Sequence, residues 1–200
     1  VTNGVLEDDA RMLNLGFIKR MTEGRPFVRS KLAMSLDGRT AMASGESKWI
    51  TSPEARADVH KLRAGSSAIL TGINTVLADD PSLTARIDQE VVQPIRVVLD
   101  SNLQMPPTAK MLTLPGRTVI LTCNNYNSVR PEPVEGQKEK LQKLQIAGAE
   151  VYQLPEKQGR LDLAEAMKFL AELEINEVLV EAGAILNGAL VMENLVNEWV

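Results

Sequence analysis

Cysteine and histidine are almost absent from this 200-residue chain. With one cysteine, Cys123, the chain can form no internal disulfide, which is typical of a protein from a reducing compartment, and we predict the cytoplasm. A Cys/His zinc site within one chain is excluded, because the only imidazole belongs to His60, and we predict no metal. His60 lies among charged neighbours in a predicted helix, so we interpret it as a surface residue rather than a catalytic base.

An excess of positive charge and long apolar runs are missing as well. The formal net charge is −4, which argues against a general nucleic-acid binder but leaves room for a local basic pocket that binds a small phosphate. No apolar run approaches the ~20 residues that cross a bilayer, so we predict no membrane partner. With 44% hydrophobic and 24% charged residues, the composition is that of a globular protein with one domain and at most an appendage.

Residues 1–25 are predicted to be a separate arm. Apolar side chains recur at helical spacing from Leu6 to Thr22, acidic residues come early, and Gly24 can end the helix. Pro26 follows, and the alternating pattern of the main domain begins there. We interpret 1–25 as a linker helix and 26–200 as one domain.

Strands and helices alternate through the rest of the chain. The predicted helices include one that starts after Ser52, with Pro53 in its first turn, and two others, Lys138–Ala147 and Leu163–Glu172. The predicted strands are Phe27–Met34, Ser67–Thr71, Ile95–Leu99, Thr118–Cys123, Glu150–Leu154 and Glu177–Val180. This pattern predicts an α/β fold with a mostly parallel central sheet and helices on both faces. Asn124–Gly136 reads as an exposed loop, and Asn197–Val200 as the start of another strand.

Two segments favour a cleft for a phosphorylated ligand. In KLAMSLDGRTAMASGESKWIT, Ser47 offers a hydroxyl and Trp49 a stacking surface, although a hairpin with Trp49 in the core is the alternative. Arg63 and Arg86 would bind a phosphate if they converge, and otherwise they are solvated surface arginines.

Two more segments lie at predicted carboxyl ends of strands, where α/β sheets bind ligands. Ser101 follows one such strand, and a simple capping turn is the alternative there. Glu181 follows another and leads through Gly183 into a helix whose N-terminus has little side-chain bulk, which suits an anion. A tightly packed strand–helix turn is the other interpretation. Thr75 and Asp79, which lie between Arg63 and Arg86 in the chain, share one face of a short predicted helix, although Asp79-Asp80-Pro81 could be no more than a helix stop.

The order and spacing of six segments resemble the reductase domain of the bifunctional riboflavin biosynthesis protein: KLAMSLDGRTA, SGESKWITS, LRAGSSAILTG, NTVLADDPSLTAR, PIRVVLDS and VEAGAILNGAL. The resemblance covers Arg25 to Val200, and Val1–Gly24 resembles the segment that joins the deaminase domain to the reductase domain in that family. It implies a dihydrofolate-reductase-like fold. It also implies NADPH-dependent reduction of 5-amino-6-(5-phosphoribosylamino)uracil, a phosphorylated pyrimidine, to the ribitylamino product.

The resemblance also implies roles for individual residues. The residues that match family contacts to NADPH are Ala33, Trp49, Thr75, Asp79, Ser101, Gly183, Ala184, Ile185, Leu186, Asn187, Gly188 and Ala189. Those that match contacts to the substrate are Ser47, Arg63, Leu83, Arg86 and Glu181. Lys31 matches a family lysine near the reacting carbon, and we regard it as the first candidate for proton transfer, with Glu181 as the second.

Two departures from the family pattern limit the prediction. The chain lacks the His-Ala-Glu segment and the Pro-Cys pair of the zinc deaminase half, so we predict that it does not deaminate. The family domain continues past the segment matching LVNEWV, so we expect domain 26–200 to lack its last strands, which leaves the activity of this chain open. The resemblance implies a homodimer, and an N-terminal deaminase domain in the parent protein.

Other functions stay open at this point. One alternative is a related reductase of the same fold that acts on a pterin or another pyrimidine, although Arg63 with Arg86 argues for a phosphorylated substrate. The other is a truncated, non-catalytic module that contributes only binding or assembly.

Overall fold

The computed structural model describes residues 2–44, 50–123 and 135–200. The strands in these ranges are β1 (Phe27–Ser30), β2 (Ala68–Gly72), β3 (Ile95–Leu99), β4 (Thr118–Cys123), β5 (Ala149–Leu154), β6 (Glu156–Lys157), β7 (Arg160–Leu161), β8 (Glu177–Val180) and β9 (Glu198–Trp199). Seven of them form one sheet in the order β5-β4-β3-β2-β8-β1-β9, and every neighbouring pair is parallel. The remaining pair, β6 and β7, is an antiparallel hairpin.

The helices are α1 (Glu7–Leu13), α2 (Leu15–Glu23), α3 (Pro53–Ala64), α4 (Ile73–Asp79), α5 (Glu135–Ile146), α6 (Leu163–Glu172) and α7 (Ala184–Met192). A single 3₁₀ turn, Lys110–Thr113, lies between β3 and β4 in the described ranges. Ser52 caps α3 as predicted, because its hydroxyl accepts a hydrogen bond from the Ala55 N–H. None of the helices among the described residues is both long enough and apolar enough to cross a membrane.

The hydrophobic core is divided by the sheet into two layers. Successive side chains of a strand point to opposite faces, so Leu70 packs against α6 on one side, whereas Ile69 packs with Val76 of α4 on the other. The central strands β3 and β4 are covered on both faces and are apolar along almost their whole length. This confirms the predicted α/β class with a parallel sheet and helices on both faces.

Two predicted elements differ from the structure at the N-terminal side. The single predicted helix Leu6–Thr22 is divided at Asn14, whose side-chain N–H₂ donates to the Ala10 carbonyl at 2.8 Å while its backbone leaves helical geometry. The predicted strand Phe27–Met34 ends at Ser30, where the ladder with β8 also ends.

Helix α2 packs closely against the amino-terminal end of the sheet. Gly16 is buried there, and a Cβ on it would lie 2.8 Å from the Asn176 carbonyl oxygen and 2.4 Å from Cγ of Glu177. That carbonyl accepts a hydrogen bond from the Phe27 N–H, and the Asn176 side chain accepts one from Arg20 Nε at 2.7 Å. The glycine is therefore required by a backbone-to-backbone approach that leaves no room for a side chain.

We expect Gly16→Ala to destabilise the protein by about 1–3 kcal/mol, because the added methyl group must displace backbone atoms of residue 176. Helix propensity alone predicts that the substitution stabilises the protein, since alanine is more favourable in a helix than glycine by up to about 1 kcal/mol. The matched control is Gly136→Ala in α5, where an added Cβ meets no atom of the described residues within 4 Å. Urea denaturation of both variants is the measurement. Equal stabilisation by the two substitutions would contradict this packing.

Candidate active site

The carboxyl ends of β1, β2, β3 and β8 meet at one edge of the sheet because the strands are parallel. They are followed by Lys31, Ile73, Asp100 and Glu181 respectively. Beyond the last paired residues, Glu181 stays fastened to β2: its N–H donates to the Leu70 carbonyl at 2.9 Å, and the Thr71 hydroxyl donates to its carbonyl at 2.7 Å. These hydrogen bonds to β2 fix the position of Glu181 at the edge of the sheet.

A polar cavity of about 260 Å³ opens at this edge beside α3. Its wall includes Lys31, Ala33, Arg63, Arg86 and Glu181, five residues that the sequence had singled out. Two further basic side chains, Arg56 and His60, also line it. Among the described lining residues, the positive groups outnumber the carboxylates, which suits an anionic ligand.

Arg63 and Glu181 form a bidentate ion pair across this cavity. Arg63 Nε lies 2.6 Å from Glu181 Oε1, and Nη2 lies 2.8 Å from Oε2. Nη1 donates to the Thr84 carbonyl at 3.1 Å, and both charged side chains are only 14% exposed. Each carboxylate oxygen of Glu181 thus accepts one hydrogen bond from Arg63 and keeps a lone pair for a ligand. The pair joins α3 to the end of β8.

His60 belongs to the wall of the cavity, and its interpretation as a plain surface residue is corrected. Its Nδ1 accepts a hydrogen bond from the Arg86 backbone N–H at 3.3 Å, and its Nε2 lies 3.2 Å from Nη2 of the same arginine. The sequence carried a signal that was missed: Arg56, His60 and Arg63 have the i, i+4, i+7 spacing of one helix face. Partial burial, and then the charges of Arg63 and Arg86, hold the pKa of His60 below its usual value.

This environment predicts that the unfolding free energy decreases at acid pH because of His60. The unfolded chain binds a proton at His60 more readily than the folded protein, because the folded pKa lies below the ordinary value of 6.5. The contribution is therefore fully present above that value and decreases as the pH falls below it, by at most about 1.4 kcal/mol per pH unit. We expect His60→Gln to flatten the dependence of the unfolding free energy between neutral pH and about pH 5. Parallel pH profiles for both proteins would contradict the assignment.

A second cavity, of about 450 Å³ and with mainly apolar walls, lies at the same edge. It is enclosed by the β2–α4 turn, the end of β3, the β6–β7 hairpin and the start of α7. The predicted cofactor residues on its wall are Thr75, Ser101, Gly183, Ala184, Ile185, Leu186 and Ala189. The two cavities adjoin along the chain, since Glu181 lines the first, whereas Ala182 and Gly183 line the second.

The turn into α7 has the properties of a phosphate site. Gly183 is the N-cap residue, and among the described residues no side chain caps this nine-residue helix and no atom lies within 4 Å of a Cβ built on Gly183. The turn is fixed from below by Asn187, whose Oδ1 accepts from the Ser30 hydroxyl and whose Nδ2 donates to the Ala182 carbonyl, each at 2.7 Å. An uncapped helix N-terminus beside a long apolar cavity fits a dinucleotide, with its pyrophosphate at the helix.

Several predicted site residues are not brought into these cavities. Leu83 is only 3% exposed and its side chain packs in the core, so it offers a ligand no side-chain contact. Asp79 and Gly188 line neither cavity, and Ala33 lines the polar cavity rather than the apolar one. Asn187 is buried and holds the turn instead of facing the cavity. Ser47 and Trp49 lie outside the described residues.

Comparison with known proteins identifies the family of the chain. The model of the RibD C-terminal domain family matches residues 26–200. The chain belongs to this family. Riboflavin biosynthesis protein RibD of Escherichia coli is 43% identical over 212 aligned residues, and RibD of Haemophilus influenzae is 41% identical over 211, each alignment covering all of this chain. The chain spans about half the length of these relatives, 54% and 52% respectively.

Solved structures of the family share the fold. RibD of Acinetobacter baumannii in its form 1 superposes with a TM-score of 0.81 at 40% identity, over 98% of this chain and 51% of that one. A deaminase/reductase of Thermotoga maritima, described as acting in 5-amino-6-(5-phosphoribosylamino)uracil reduction, superposes with a TM-score of 0.74 at 30% identity, over 95% of this chain and 48% of that one. The dihydrofolate-reductase-like fold that the sequence predicted is confirmed.

Proposed function

We propose that this domain reduces 5-amino-6-(5-phosphoribosylamino)uracil to the ribitylamino product with NADPH, as a step of riboflavin biosynthesis. The single observation that carries the proposal is the pair of adjoining cavities, one cationic and one apolar with an uncapped helix N-terminus, divided by the consecutive residues 181–183. A two-substrate reductase needs such an arrangement, because the reacting atoms must meet where the two binding sites touch.

The polar cavity is the site that we assign to the phosphorylated pyrimidine. We assign the guanidinium of Arg86 to the ribose phosphate, because the guanidinium of Arg63 is already paired with the Glu181 carboxylate. Arg63 instead orients Glu181, whose carboxylate accepts a hydrogen bond from a uracil N–H or a sugar hydroxyl. The surplus of positive charge also disfavours an uncharged pterin as the substrate.

The apolar cavity is the site that we assign to NADPH. The helix N-terminus at Gly183 would hold the pyrophosphate, while Thr75 offers a hydroxyl group on the same wall and Ser101, whose hydroxyl accepts from the Leu161 N–H, lies beside it. The cofactor would supply a hydride to the first carbon of the sugar after the ring has opened. The protein's own contribution is to align the two ligands and exclude water, which is worth about 7–11 kcal/mol in favourable cases.

Proton transfer is assigned to Lys31. It follows β1 directly and lines the polar cavity beside Glu181. An ammonium group has protons to donate, whereas both oxygens of Glu181 accept from Arg63, so Lys31 is the better donor to the leaving ring oxygen or the amine nitrogen.

The wider context is also part of the proposal. The relatives are about twice as long as this chain, and the Thermotoga maritima protein is described as a deaminase as well as a reductase, which supports a deaminase domain in the parent protein. We propose that residues 1–25 are the arm leading from that domain, that the reductase domain forms a homodimer, and that it acts in the cytoplasm.

Lys31→Met is expected to lower turnover by about 100-fold or more while NADPH still binds, because it removes the proton donor from the polar cavity only. The assay follows NADPH consumption with the phosphoribosylaminouracil substrate. Lys61→Met is the matched control: Lys61 is exposed on α3, pairs with Asp58 and lines neither cavity. Full turnover in Lys31→Met would remove this role from Lys31. NADPH binding without turnover in the unaltered chain would favour a non-catalytic module instead.

A further inference from the structure

The β6–β7 hairpin forms one wall of the apolar cavity and was not predicted from the sequence. Its strands pair Glu156 with Leu161 and Lys157 with Arg160. The two linking residues, Gln158 and Gly159, have φ angles of 54° and 78°, which is the geometry of a tight type I′ turn. Gln158, Arg160 and Leu161 line the cavity.

This hairpin is fixed to the rest of the domain rather than projecting loosely. The Leu161 N–H donates to the Ser101 hydroxyl at 3.0 Å, and the Leu161 side chain is buried. The next residue, Asp162, donates its N–H to the Pro155 carbonyl at 3.0 Å and caps α6 with its carboxylate. Arg160 therefore extends from a backbone that is held on both sides of the turn.

Arg160 carries an uncompensated positive charge on an otherwise mainly apolar wall. Among the described residues, the other charged side chain that lines this cavity is Glu193, whose carboxylate is paired with Lys157 Nζ at 3.2 Å. Within the described residues, the guanidinium of Arg160 makes no hydrogen bond or ion pair, although it is one residue from a buried anchor. A positive group in that position favours an anionic part of whatever occupies the cavity.

We propose that Arg160 binds the 2′-phosphate on the adenosine ribose of the cofactor and so selects NADPH over NADH. The inference rests on the proposed function, which assigns this cavity to a dinucleotide. Such a cofactor needs one anion site for its pyrophosphate, and the α7 N-terminus supplies it; a second anion site has a use only if the cofactor carries a further phosphate. A planar guanidinium fits a phosphate monoester with two parallel hydrogen bonds.

The test measures equilibrium binding of NADPH, NADH, adenosine 2′,5′-bisphosphate and adenosine 5′-diphosphate to the wild type and to Arg160→Gln. We expect Arg160→Gln to weaken NADPH and the 2′,5′-bisphosphate by about 10- to 100-fold, and to leave NADH and the 5′-diphosphate within about 2-fold. Arg11→Gln, the same substitution at an exposed arginine of α1 that does not line this cavity, is the matched control and should preserve the preference for NADPH. Arg160→Lys should recover part of the lost affinity for NADPH, because lysine restores the positive charge but not the paired N–H donors of the guanidinium.

The outcomes separate this inference from the proposed function. If Arg160→Gln weakens the binding of NADPH and NADH equally, or weakens neither, the proposed role of Arg160 is wrong. The reductase proposal stays intact in that case, provided that the wild type binds NADPH. Wild-type protein that binds neither nucleotide would overturn both proposals. Thermal unfolding of Arg160→Gln at the wild-type temperature is expected, since this side chain is exposed and has no partner among the described residues.

Discussion

The ion pair between Arg63 and Glu181 is the interaction on which the candidate site depends. It joins a helix that follows β1 in the chain to the carboxyl end of β8, more than a hundred residues later. With both side chains largely removed from water, loss of either partner would leave the other charge without compensation, which is far more costly than breaking an exposed surface pair. Because α3 also carries Arg56 and His60, the pair fixes the position of most of the cationic wall.

The parallel sheet provides the second constraint, since it decides where ligands can bind. Its two layers are predominantly apolar, so the polar groups that could serve a ligand gather where the strands end. At that edge β2 lies beside β8, and the chain leaves these two strands toward different helices, α4 and α7. The space between the two exits is the apolar cavity, and the polar cavity lies beside it.

Much of this fold could be predicted from the sequence wherever the pattern is long and strongly apolar. Strands β3, β4 and β8 and helix α6 have the predicted bounds, because buried elements of a parallel sheet read as continuous apolar runs with polar ends. The β6–β7 hairpin escaped prediction because strands of two residues show no periodicity, and its turn, Gln158-Gly159, is not a typical type I′ pair. Arg160 was missed with it.

The site itself was less predictable, because whether a residue faces a cavity depends on which other segments pack against it. His60 was read as a surface residue from its charged neighbours, yet the segment containing Arg86 packs over its ring. Leu83 was expected at the substrate, but its backbone has a φ of 44° and its side chain turns into the core. By contrast, Glu181 and Gly183 follow directly from their places after the predicted strand Glu177–Val180, since strand ends locate a residue without knowledge of packing. Lys31, which lay inside the predicted strand Phe27–Met34, came only from the resemblance to the family.

Strand β8 has consequences for the tolerance of the domain to insertions and deletions. Only four residues long, it has Asn176 against Gly16 before its first residue and Glu181 bonded to Arg63 after its last. Side chains in a strand alternate between the two faces of the sheet. A shift of one residue would therefore turn Glu181 away from α3 and move Val178 and Val180 to the opposite face. The same shift would move Asn176 away from α2. Single-residue length changes in this strand should therefore be absent among functional relatives, whereas the solvent-facing residues of the arm are free to vary.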